Sequence, residues 1–211
     1  MTTNNLSYTN FSNNIKSCDD MIQLYEIILD KIPLLEPQAN DILRSVIVMS
    51  VSALDNFLHD FYRTEIVESY LGIGNFTLSF EKINISIKAV KEIESSMSVY
   101  EKRNIITQEL KKIQKTDSYQ SQKSIEYLFT NLGIKNVWKK LEDIGVNVEN
   151  NQYTAIQIRE ELSVIIDRRN KISHESDWDF FYQRKFNIEK VDIVFVVKFI
   201  KEIVKAFNSI Q

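Results

Sequence analysis

The residues best suited to chemistry lie in one nine-residue stretch, Asp167-Arg168-Arg169-Asn170-Lys171-Ile172-Ser173-His174-Glu175. This stretch contains one of the two histidines in the chain. A histidine can take or release a proton at cellular pH, and an arginine can bind a phosphate through a planar set of donors. Together these two side chains are the minimum needed to cleave RNA without a metal ion.

A solvated helix end is the other interpretation of this cluster. The chain has seven arginines, so an arginine shortly before a histidine also arises by chance, and cations at a helix C-terminus interact favourably with the helix dipole. Arg169 and His174 are five positions apart, which is about 140° around a helix. They can converge on one phosphate only if the helix frays at its end, or if a second copy of the chain contributes.

Two segments resemble the HEPN superfamily. Arg169-Asn170-Lys171-Ile172-Ser173-His174 resembles its signature, an arginine and a polar residue followed by a histidine. The stretch from Arg44 to Tyr62 is similar to the long first core helix of that superfamily, and the closest likeness is to the RiboL-PSP-like branch. The resemblance covers residues 20–75 and 150–210 and leaves the middle of the chain unaccounted for.

The resemblance implies an all-α, HEPN-like helical bundle with two long core helices and an additional helical insertion. It also implies a two-fold symmetric dimer whose two Arg/His motifs face each other across the interface. The implied domain spans residues 1–211, with a flexible N-terminus (1–18) and a basic helical insertion (76–145).

The activity that the resemblance implies is metal-independent endoribonuclease cleavage, which leaves 2′,3′-cyclic phosphate and 5′-hydroxyl ends. His174 would act as general base or general acid, and Arg169 would stabilise the charge on the phosphate. Asn170, Arg168 and Ser173 are the expected supporting or RNA-binding residues. Neither a cofactor nor a metal is expected. The expected partners are RNA (tRNA or mRNA), a second copy, and an antitoxin or regulatory protein, and the expected role is that of a toxin or phage-defence effector.

Two other functions remain open. A catalytically idle HEPN-like dimer would serve as an interaction or nucleotide-binding module and would need no proton-transfer residue. The second is a protein that regulates a neighbouring toxin. Toxicity of the chain when it is expressed alone would indicate an effector rather than such a regulator.

Composition favours a helical chain. The four glycines and two prolines provide little material for the tight turns of a many-stranded β fold. The single cysteine, Cys18, excludes an internal disulfide framework. The polar first 14 residues do not form a signal peptide, and no apolar run is judged long enough to span a membrane, so a cytoplasmic location is expected.

Charge is distributed unevenly along the chain. The net charge is −3, but residues 82–140 carry 12 basic and 6 acidic side chains, a net of +6. A polyanion could dock on this middle section, or the section could be a solvated helical cover over the core.

Helical periodicity predicts helices at 19–32, 38–70, 79–95, 99–115, 121–131 and 134–143, a helix carrying the motif that starts at Thr154, and a last helix at 188–209 capped by Asn187. Asp55, His59 and Arg63 form a polar line on the second of these, for which a solvated edge or a satisfied network is the favoured interpretation. The aromatic residues after the motif are expected to pack in a loop rather than to stack on a base. These residues are Trp178, Phe180, Phe181 and Tyr182.

Overall fold

The computed structural model describes residues 4–74 and 83–210. Within these ranges the chain forms eight α-helices and two short β-hairpins, which confirms the predicted all-α class. The helices are α1 (Asn4–Lys31), α2 (Glu36–Tyr70), α3 (Ile87–Ser95), α4 (Val99–Ile113), α5 (Gln122–Asn131), α6 (Val137–Ile144), α7 (Ala155–Glu175) and α8 (Lys190–Asn208). The antiparallel hairpins pair β1 (Val146–Val148) with β2 (Asn151–Tyr153), and β3 (Trp178–Asp179) with β4 (Arg184–Lys185).

Helix α2 is the centre of the bundle, where it contacts α1, α4, α7 and α8. Its apolar residues point in several directions, and Leu43, Phe57 and Phe61 are all fully buried. By length and mean hydropathy (1.2) alone this helix could cross a membrane, so the expectation that no apolar run is long enough was too strict. However, 56% of the most apolar 18-residue segment of this helix is buried inside the bundle. The core helix of a globular protein can have the same length and composition. The length and composition of α2 are therefore weak evidence that it crosses a membrane.

Helix α1 begins at Asn4, about 15 residues before the predicted start. The expectation of a flexible segment over residues 1–18 was therefore wrong for its described part. The physical reason is burial: Phe11, Ile15 and Cys18 lie at helical spacing and are at most 4% exposed, so they extend the apolar face of the helix. Burial also raises the pKa of the Cys18 thiol to about 11.

The middle section is part of the same core. The predicted helices at 99–115, 121–131 and 134–143 correspond to α4, α5 and α6. Their buried side chains join the cluster formed by α2 and α8, and Phe129 stacks on Phe207 with 5.0 Å between ring centroids. The predicted start of a helix at residue 79 lies outside the described residues, and α3 begins after Ser86, whose hydroxyl accepts a hydrogen bond from the Ala89 amide.

Helix α7, which carries the sequence motif, and the last helix, α8, begin differently. Thr154 and Gln157 form the predicted capping box at the start of α7. Helix α8 begins at Lys190, and its N-cap residue is Glu189 rather than Asn187. The predicted cap was wrong because the helix begins three residues after Asn187, whose side-chain nitrogen donates to the Glu189 carboxylate at 2.8 Å.

Candidate functional site

Helix α7 fixes the direction of every motif side chain. Its buried face carries Ile158, Leu162 and Ile165, and the helix continues without a break to Glu175. Two residues with positive φ then end it, Ser176 and Asp177, and the Asp177 amide donates to the Lys171 carbonyl. Fraying of the helix, one of the two ways in which the motif could converge, is therefore not observed.

Arg169 lies close to the buried face of α7 and is half-buried. Its Nη1 donates to Oδ1 of Asn170 at 3.0 Å. Its Nε is buried and has no hydrogen-bond partner among the described residues. A buried donor without an acceptor is energetically unfavourable, and an oxygen of a bound anion would relieve this cost.

His174 is exposed in the last turn of α7 and makes no hydrogen bond or ion pair with a described residue. The same helical geometry that buries Arg169 places His174 about 140° away around the axis. One copy of the chain therefore does not bring these two side chains onto the same face. Ser173 is likewise exposed, on the turn that separates them.

Asn170, an expected supporting residue, contacts the arginine of the motif. It lies four residues before His174, on the same side of the helix, but its side-chain oxygen accepts from Arg169. The structure thus shows Asn170 orienting the arginine, rather than the histidine.

Arg168, an expected supporting or RNA-binding residue, makes its contacts within the protein. Its Nη2 donates to Oδ2 of Asp177 (2.8 Å) and to the Asn187 carbonyl (2.9 Å), and its guanidinium lies 5.5 Å from the centre of the Phe186 ring. Burial and the nearby Arg44 guanidinium lower the pKa of Arg168, while Asp177 opposes that change. These contacts indicate a structural role.

Asp177 is the residue that sequence reasoning missed. It is fully buried, and its Oδ2 accepts from both Arg168 and Nε of Arg44, the latter at 2.7 Å. Nη2 of Arg44 also donates to the Phe186 carbonyl at 2.7 Å. These four residues, which we call the Asp177 junction, join α2, the end of α7 and the β3–β4 hairpin. An arginine inside the apolar run of α2 was the available signal, because a buried cation needs a buried anion.

The second histidine belongs to a network that holds a loop. The Asp55 carboxylate accepts hydrogen bonds from the Tyr119 amide (2.6 Å) and the Gln120 side chain (3.0 Å), and His59 packs on the Tyr119 ring. Arg63 donates to Gln114 at 2.9 Å. The favoured interpretation of this polar line, a satisfied network, is confirmed, with one exception: Nδ1 of His59 is buried and has no partner among the described residues.

The aromatic residues after the motif do not pack as expected. Phe180, Phe181 and Tyr182 form the tip of the β3–β4 hairpin and are 77%, 85% and 63% exposed. The expectation was wrong because only the base of the hairpin is anchored to the core. Asp177 binds Arg44 through its side chain and accepts from the Phe186 amide through its carbonyl, while the tip lies in solvent.

The comparisons with known proteins agree with this architecture. A family model described as RiboL-PSP-HEPN matches residues 12–210, which includes the middle section that the motif resemblance left unaccounted for. No curated protein and no solved structure matches the chain. The match indicates a HEPN-type nuclease or a related module.

Proposed function

Since the chain belongs to the RiboL-PSP-HEPN family, we propose that it is a metal-independent endoribonuclease whose site is completed by a second copy of the chain. The observation that carries this proposal is the state of two side chains on α7. Arg169 keeps a buried Nε that has no acceptor among the described residues, and His174, exposed at the end of the same helix, pairs with none of them. Both are available to a substrate that brings an anion and an exchangeable proton.

The reaction requires the chemistry of these two groups. His174 would take the proton of a ribose 2′-hydroxyl, or give a proton to the leaving 5′-oxygen. The 2′-oxygen would attack phosphorus while the bond from phosphorus to the 5′-oxygen breaks, which leaves a 2′,3′-cyclic phosphate and a 5′-hydroxyl. Arg169 would stabilise the extra negative charge on the phosphate. DNA would be resistant, because it lacks the 2′-hydroxyl.

A symmetric dimer would bring an Arg169 and a His174 side chain together at one site. In one copy, Arg169 and His174 point about 140° apart. A two-fold axis near the end of α7 would bring His174 of one copy towards Arg169 of the other, and would do so twice. Each dimer would then have two equivalent composite sites.

A gel assay in the presence of EDTA tests the activity. Purified wild-type protein is incubated with total RNA and tRNA beside His174→Ala, Arg169→Ala and the control Glu175→Gln, which changes an exposed neighbour outside the proposed chemistry. We expect cleavage by the wild type and the control, and none by the two alanine variants. Cleavage by all four proteins would contradict the assignment.

One observation favours a second candidate, a non-catalytic HEPN-like module. In one copy, Arg169 contacts Asn170 and lies about 140° around the helix from His174, as an idle scaffold would allow. A dimer that binds nucleotide or protein but leaves RNA intact in the same assay would support this function. A role as toxin, defence effector or regulator rests on the family resemblance, and growth arrest on expression of the chain alone would support the effector.

A further inference from the structure

The β3–β4 hairpin presents three consecutive aromatic side chains to solvent. Phe180, Phe181 and Tyr182 are each at least 63% exposed, and Trp178 at the base of the hairpin is 39% exposed. Water does not favour adjacent exposed aromatic rings, and contiguous apolar patches of this kind mark interaction surfaces. We call this group of four residues the aromatic tip.

Hydrogen bonds to the Asp179 side chain give the aromatic tip a defined shape. Oδ1 of Asp179 accepts from the amides of Phe181 (2.9 Å) and Tyr182 (3.1 Å), which closes the turn. The Phe181 ring meets the Tyr182 ring edge-on, with 4.9 Å between centroids and 82° between planes. A preformed arrangement loses little conformational entropy when a ligand binds.

Positive charge accompanies the rings. The Arg184 guanidinium lies 5.4 Å from the centre of the Tyr182 ring, and Lys185 follows it on the same exposed strand. Residues 168–185 carry five basic and three acidic side chains, and among these Arg168 and Asp177 are paired with each other. The surface therefore combines π-faces with the exposed Arg184 cation.

An open groove of about 980 Å³ runs along one side of the hairpin. The start of α2 forms its other wall, and Trp178, Arg184 and Phe186 lie on the hairpin side. The groove also contains Glu36 and Asp41, and Asp41 is already paired with Lys185 (2.6 Å). The groove has room for nucleotide-sized groups beside the aromatic tip.

From these features we infer that the aromatic tip is a stacking platform for single-stranded RNA. Bases would stack on Phe180, Phe181 and Tyr182, and phosphates would contact Arg184. This combination of rings and cations is how proteins bind single strands with little dependence on sequence. The inference rests on the proposed function, since it assigns the substrate class of that site: RNA in single-stranded form.

The platform lies within reach of the proposed site. Phe180 follows His174 by six residues, and six residues span at most about 22 Å even when the chain is fully extended. The Asp177 junction holds the hairpin against the end of α7. A strand stacked on the aromatic tip would therefore extend towards Arg169 and His174 within a few nucleotides.

Binding of a labelled single-stranded oligoribonucleotide tests this platform separately from cleavage. The measurement uses full-length His174→Ala protein in EDTA, so that the RNA stays intact whether or not the wild type is a nuclease. The triple variant Phe180→Ala/Phe181→Ala/Tyr182→Ala is added to this background. We expect Kd to rise at least about tenfold, because each stacked base contributes about 1–3 kcal/mol.

Matched variants exclude other causes. Tyr100→Ala/Tyr127→Ala removes two exposed aromatic rings from the basic middle section and should leave Kd unchanged. Phe181→Trp keeps a π-face and should bind as the parent does. A fully duplex RNA of the same sequence should bind the parent more weakly than the single strand.

An unchanged Kd in the triple variant would overturn the platform. Sedimentation equilibrium of the same triple variant would then show whether it still forms a dimer. If the variant is monomeric, the aromatic tip contacts a second copy of the chain instead of RNA. Failure of the proposed function gives a different result, namely wild-type protein that binds RNA but leaves it uncut.

Discussion

Arg44 and Asp177 are 133 positions apart in the sequence, yet Nε of Arg44 lies 2.7 Å from Oδ2 of Asp177, and both side chains are buried. Arg168 donates to the same oxygen, so one carboxylate holds two guanidinium groups. The pair connects the central helix α2 to the residue that follows the end of α7. The position of the proposed site therefore depends on an ion pair that takes no part in the chemistry.

Asp177→Ala should destabilise the protein strongly. The change leaves the Arg44 guanidinium buried without its anion, and breaking a buried pair in this way costs about 3–5 kcal/mol. Chemical unfolding measures the effect. Asp41→Ala removes another partner of Arg44, but that carboxylate is half-exposed, so the free energy of unfolding should fall by less than about 1 kcal/mol. Equal losses in the two variants would show that Asp177 is not the anchor.

Ser176→Gly should stabilise the protein by about 1 kcal/mol. Ser176 is exposed and adopts a φ of 55° at the end of α7, a left-handed conformation that is unfavourable for a residue with a Cβ. Gly133 provides the reciprocal test, since it ends α5 with a φ of 81° and has open space around its Cα. Gly133→Ala should therefore lower the free energy of unfolding by a similar amount. A destabilising Ser176→Gly change would mean that its side chain makes a contribution larger than the backbone strain.

Glu109 should make stability depend on acid pH. A hydrogen bond from Lys112 and another from the Ser86 amide (3.1 Å) lower the pKa of this carboxyl from 4.5 to about 2. A carboxyl whose pKa is lower in the folded than in the unfolded chain stabilises the fold at pH values above its unfolded pKa. This stabilisation is lost as the pH falls from about 4.5 through about 2. Melting temperature should therefore fall across that window more steeply in the wild type than in Glu109→Gln.

The control for this titration is Glu94→Gln, which changes an exposed carboxylate on the neighbouring helix α3. It should retain the wild-type slope between pH 4.5 and 2. Identical slopes in the wild type and Glu109→Gln would contradict the role of Glu109 in joining α3 to α4.

Local patterns predicted the helices that have clear signals. The apolar periodicity of α2 and the Thr154–Gln157 capping box placed two core helices within a few residues of their observed positions. The start of α1 was missed, although Phe11, Ile15 and Cys18 have helical spacing, because the surrounding polar residues masked that pattern. The local sequence predicts a helix well when the spacing of its apolar residues shows clearly which face is buried.

The sequence could not predict contacts between distant segments. Arg169 and His174 were predicted from their types and spacing, but the contact of Arg44 with Asp177, 133 positions away, depends on the tertiary fold. The exposed aromatic tip was predicted to pack because aromatic residues are usually buried. Its exposure follows from how the Asp177 junction anchors the hairpin, which no local pattern encodes.

Mixing two inactive variants tests the composite site most directly. Arg169→Ala and His174→Ala are co-expressed with different tags, so that dimers containing one copy of each can be purified and counted. If each site takes Arg169 from one copy and His174 from the other, a mixed dimer retains one intact site of two. Purified mixed dimers should therefore cleave RNA in EDTA at about half the wild-type rate per dimer. Mixed dimers that form but cleave no RNA, beside an active wild type, would contradict a site shared in this way between two copies.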